Sequence, residues 1–146
     1  MGQLEKIVVG IDGSAESVEA LRQAWMLAQP FDARIEVVTC WEFPSLYDGY
    51  LTMQAEEFLA AANKVLGSAI GSAFGTETPH NVTTRVLEGN PKSVLLEVSK
   101  NADMLVVGRR GHGVASGQVF GSVSAFCVAH AQCPVLVVHA PKPDTK

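Results

Sequence analysis

The chain has 146 residues, 47% of them hydrophobic and 18% charged, which suits one domain with a real core and excludes a disordered chain. A net charge of −4 without a basic run disfavours nucleic acid as the partner, and no apolar stretch approaches the ~18 residues of a membrane span. Cys40, Cys127 and Cys133 are odd in number and lack a CxxC spacing, so they read as reduced thiols of a cytoplasmic protein. The first residues, MGQLEKIVVG, hold too short an apolar run for a signal peptide, and Lys6 stands where a myristoylation motif needs Ser or Thr.

Strand-like and helix-like patterns alternate along the chain. Lys6–Ile11 is a short, β-branched, almost wholly apolar run, as a strand buried on both faces should be. Asp12-Gly13-Ser14 is a turn. Ser14 is a helix N-cap, with Glu16 in the first turn, where the helix dipole favours a carboxylate. Val18, Leu21, Trp25 and Ala28 share a helical face, and Gln29-Pro30 ends it. Ala33–Cys40 is the second strand, followed by an irregular loop over 43–51. Ala55, Leu59, Ala62, Leu66 and Ala69 repeat at helical spacing, and Gly67, Gly71 and Gly75 weaken the far end of that helix.

Val82–Leu87 is the third strand. Asn90-Pro91 starts a helix, with Asn as cap and Pro in the first turn, and Val94, Leu95 and Val98 give it a buried face. Asp103–Gly108 is the fourth strand, and 109–121 is a glycine-rich loop. Ser122–Ala131 is a helix with Val123, Phe126, Cys127 and His130 on one side. Pro134–His139 is the fifth strand, and 141–146 is a flexible tail behind a single domain of residues 1–140. This alternation implies a parallel sheet covered by helices on both faces. Ligands in such sheets sit beyond the C-terminal strand ends, which points to Gly10–Ser14 and Gly108–Ser122 if strands one and four are neighbours. The strand order itself is not readable from periodicity.

The loop after the fourth strand suits an anion. Gly108, Gly111, Gly113, Gly117 and Gly121 all fall between a buried strand and a helix start, where a backbone without Cβ atoms can come close to a ligand. The helix beginning at Ser122 offers unpaired N–H groups and the positive end of its dipole. Ser122 and Ser124 add hydroxyls, and Arg109 and Arg110 add positive charge. The alternative is a glycine-shaped surface loop with serines capping a helix. No Walker A motif occurs, no GxGxxG follows the first strand, and no zinc-ligand spacing appears. Asp12, at a strand end, is a ligand-contact candidate. His112 reads as an exposed loop residue or a phosphate contact. Trp41 and the 43–51 loop either cover a bound ligand or form ordinary surface packing.

Lys6–Ser14 (KIVVGIDGS), Asp103–Gly111 (DMLVVGRRG), Gly121–Ser124 and Cys133–Val138 (CPVLVV) together resemble the universal stress protein family over nearly the whole chain. The family signature Gly-x2-Gly-x9-Gly-(Ser/Thr) is met by Gly108, Gly111, Gly121 and Ser122, with Phe120 where Leu is commoner. The resemblance implies a Rossmann-like, adenine nucleotide alpha hydrolase-like three-layer α/β sandwich, with a five-stranded parallel sheet in the order 3-2-1-4-5. It implies binding of ATP, with or without Mg2+, or of cyclic AMP at the same site. Gly10, Ile11 and Asp12 would line the adenosine pocket, and Cys40 would offer backbone contacts to adenine. Gly108, Gly111, Gly121, Ser122, Val123 and Ser124 would hold ribose and phosphates, with Arg109 and His112, read from the loop itself, beside them. It also implies a homodimer through Val135–Val138. A stress-signalling module with little turnover is expected, the alternative being a weak ATPase or autokinase.

Overall fold

Strand and helix alternate as the apolar runs require. β1 (Lys6–Gly10) leads to α1 (Ala15–Ala28), β2 (Arg34–Trp41) to α2 (Ala55–Phe74), and β3 (Val82–Glu88) to α3 (Pro91–Val98). β4 (Met104–Gly108) leads to α4 (Ser122–His130), and β5 (Val135–Val138) completes the set. This computed structural model describes residues 3–42, 55–110 and 121–140. All strand pairs are parallel, in the order β3-β2-β1-β4-β5. The chain therefore reverses direction across the sheet between β1 and β4, the switch point where open α/β sheets form a crevice.

The strand alternation divides the core into two layers. Ile7, Val9 and Ile11 face one way with Ile35 and Val37, beneath α1 and α2. Val8, Val38, Leu105 and Val107 face the other way, against Leu95 of α3 and Cys127 of α4. The central strands are hydrophobic on both faces because both faces are covered. At the strand starts lies one buried charge. The Glu36 carboxylate meets Lys6 Nζ at 3.1 Å and Arg85 Nη1 at 2.8 Å, which ties β2 to β1 and β3. Burial alone would push its carboxyl up, but hydrogen bonds from Arg85 and Lys6 outweigh that and hold it below the usual range.

Helix starts follow their caps. Ser14 Oγ accepts the Ser17 amide at 3.1 Å, and Asn90 Oδ1 accepts the Lys92 amide at 2.9 Å. Three details depart from the sequence reading. α2 runs unbroken through Gly67 and Gly71 and ends at Gly75, whose φ is +74°. Burial of Ala62, Leu66 and Ala69 outweighs the roughly 1 kcal/mol that each interior glycine costs. In α4 the buried residues are Ser124 and Cys127, whereas His130 is exposed, its ring stacked on Phe126 at 4.3 Å. Ile11 lies just past β1, although its amide still donates to the Val38 carbonyl at 2.9 Å.

Candidate functional site

A cavity of about 480 Å³ opens at the C-terminal ends of β1, β2 and β4, within the usual range for small-molecule sites. Its floor is formed by Gly10, Ile11 and Asp12, by Val38, Thr39 and Cys40, and by Val107 and Gly108. Phe58, Ala61, Ala62 and Val65 of α2 form one wall, and Pro91 and Leu95 of α3 lie on the opposite side. Gly121, Ser122, Val123 and Ser124 bring the start of α4 to its far end, together with Arg110. One end is thus lined mainly by apolar side chains, and the other by a helix N-terminus with Arg110 beside it.

The backbone turns that build this site are locally specified. The Ser14 amide donates to Asp12 Oδ1 at 2.9 Å, and Gly13 between them has φ +89°. Side chains cap α1 and α3, but Gly121 caps α4 without any side-chain bond. The first-turn amides of α4 therefore receive nothing from their cap, and such amides have no acceptor within the helix itself. Gly121 adopts φ −75°, an extended conformation open to any residue, so no left-handed backbone requires glycine there.

Most sequence-expected residues come together. Gly10, Ile11, Asp12, Cys40, Gly108, Gly121, Ser122, Val123 and Ser124 all line the cavity. Arg109 is not among the lining residues, and Gly111 and His112 lie outside the described residues, as does the 43–51 loop. Trp41 lines the cavity, as does Glu42. The Ser124 hydroxyl donates to the Arg109 carbonyl at 2.7 Å and approaches that of Gly121 at 3.2 Å, so its proton is committed within the protein. Gly108 has a different use from the one its position suggests. A Cβ there would lie 2.9 Å from the carbonyl carbon and Cβ of Glu16, so the missing side chain makes room for α1. Gly10 likewise accommodates Leu95, whose Cδ1 would lie 2.8 Å from an added Cβ.

Cys40 is not a reactive thiolate. Burial, helped by the Glu42 charge, pushes its thiol up to about 11. Among the described residues no group of three or more His, Cys, Asp or Glu is placed to hold a metal. No helix among them is long and apolar enough to cross a membrane.

Sequence periodicity could not have found several lining residues. The α2 wall looked like ordinary core-facing helix. Thr39 looked like one more β-branched strand residue, yet its buried Oγ1 has no hydrogen-bond partner among the described residues. Arg110 carried a signal, being one of two adjacent arginines in the glycine loop.

Fold and cavity define an open α/β domain with a ligand crevice at its switch point. The chain belongs to the universal stress protein family, whose model matches residues 3–139. A universal stress protein of Mycolicibacterium smegmatis is 34% identical over 143 residues, covering 91% of this chain and 47% of the relative. The chain spans about half the length of the first curated relatives it matches. Among solved structures, a universal stress protein in complex with cAMP has a TM-score of 0.74 at 26% identity, with 96% of this chain and 100% of that one covered. The universal stress protein UspA from Lactobacillus plantarum has a TM-score of 0.78 at 23% identity, with 94% and 99% covered.

Proposed function

We propose that this protein binds an adenine nucleotide, ATP in the first instance, and acts as an occupancy-dependent stress-response module with little or no turnover. One observation carries the reading: the cavity joins a largely apolar lining to a helix N-terminus that no side chain of the described residues caps. A nucleotide has the matching shape, a flat base at one end and an anion at the other. The base would lie toward Thr39, Cys40 and the α2 wall, with ribose near Asp12 and Gly10. The phosphates would meet the amides of Ser122, Val123 and Ser124 and the guanidinium of Arg110. Gly111 and His112 belong to the same proposed phosphate loop, with Arg109 behind it. Mg2+ would accompany ATP as a counter-ion of the phosphates.

Phosphoryl transfer needs a positioned nucleophile beside the metal-bound phosphate, and no described residue has that role assigned by its contacts. The protein would work in the cytoplasm, with residues 1–140 acting as one domain. A second reading, cyclic AMP on the same site, is favoured by the cAMP complex of the 26%-identical universal stress protein. Calorimetric titration with ATP and with cyclic AMP separates the two readings by which ligand binds more tightly. Gly121→Val places a branched side chain at the phosphate end without backbone strain. It should weaken ATP binding by at least about tenfold while the fold persists by circular dichroism. Unchanged affinity in that folded variant would reject the site.

A further inference from the structure

Glu16 begins α1, yet it is only 7% exposed. Its Oε1 accepts the Arg110 amide at 2.5 Å, and its Oε2 accepts the Ala140 amide at 3.3 Å. The guanidiniums of Arg109 and Arg110 approach Oε2 to 4.0 and 3.9 Å. One carboxylate thus joins the start of α1 to the exits of β4 and β5. Helix capping does not require this, because Ser14 already caps α1. The dipole does not require it either, since an exposed carboxylate would serve. A buried carboxylate is costly unless it is paired and hydrogen-bonded, and these contacts supply both.

Of the two arginines, only Arg110 lines the cavity. Its guanidinium lies 3.9 Å from Glu16, an ion-pair contact beyond direct hydrogen-bonding distance. We infer that Glu16 is a positioning residue for the ligand's anionic end. It holds the backbone at 109–110 and sets the guanidinium of Arg110 toward the phosphates. This inference rests on the nucleotide reading above.

The sign of one effect separates positioning from plain electrostatics. Glu16 is itself negative beside a site for an anion. By Coulomb attraction alone, removing it should tighten ATP binding. If it positions Arg110, removing it loosens ATP binding instead. We expect Glu16→Ala to weaken ATP binding about tenfold and to leave adenosine, which has no phosphate, nearly unchanged. In an Arg110→Ala background the same substitution should add little, because Glu16 reaches the phosphates only through the Arg110 side chain. Glu16→Gln keeps one acceptor oxygen; it should fall between, and it replaces the alanine variant if that one fails to fold. Tighter ATP binding, equal losses for ATP and adenosine, or additive losses in the double variant would each overturn the inference. Failure of the unsubstituted protein to bind any adenine nucleotide would instead remove the reading on which it stands.

Discussion

The Thr39 hydroxyl shows how one atom can separate binding from stability. Thr39 lies in a central strand, 3% exposed, and its Oγ1 has no hydrogen-bond partner among the described residues. Its β3 counterpart in register is Val86, which offers no polar side-chain atom. A buried hydroxyl without a partner costs about 1–3 kcal/mol. Valine has nearly the same branched shape and no group to satisfy. We expect Thr39→Val to raise the unfolding free energy of the ligand-free protein by about 1 kcal/mol, read from urea denaturation at constant m-value. A lower stability would mean that the hydroxyl is satisfied in solution. Thr39 and Glu16 were not legible as site residues from the sequence. Thr39 fits any strand, and Glu16 fits any helix start. Their partners, or lack of them, depend on chain segments far away, with Arg110 94 residues beyond Glu16.

At the scale of elements, strands and helix starts were legible because their signals are local. Two-sided burial produced unbroken apolar runs in β1 and β4, and Ser14 and Asn90 carried their caps beside them. The glycine signature was legible in the sequence, and Gly108, Gly121 and Ser122 line the cavity, but the physical role of its first member was not legible. Gly108 and Gly10 both end central strands beside the cavity, yet each is kept small by a different neighbour. At Gly108 an added Cβ would meet α1 backbone, with Ser17 N at 3.0 Å, and backbone cannot step aside. At Gly10 the obstacle is the far end of the Leu95 side chain, which can rotate. Gly108→Ala should therefore destabilise by about 2–3 kcal/mol and Gly10→Ala by about 1 kcal/mol or less. Thermal melts of the two variants check the order. A reversed order would show that α1 yields more readily than Leu95.

At the scale of the whole molecule, the sheet formed by the described residues ends in two edges of contrasting character. On β3, Thr83, Thr84 and Arg85 are exposed, and polar or charged residues of this kind blunt an edge against pairing. On β5, Val135, Leu136 and Val137 are half-buried, and none is polar. The Leu105 amide donates to the Pro134 carbonyl and the Arg109 amide to that of Val138, so even-numbered residues of β5 point their carbonyls at β4. By the alternation of a parallel ladder, Val135 and Val137 then turn their own N–H and C=O groups outward. An apolar strand whose outward groups no described strand pairs invites a second copy, and we propose a homodimer paired through Val135–Val138. Light scattering on the eluted protein should then give about twice the 15.5 kDa of one chain. Val137→Pro removes an outward N–H while sparing the ladder to β4, a position where edge strands tolerate proline. It should yield a folded monomer. A dimer that persists in this variant would place the contact on another face of the protein and leave β5 as a bare edge.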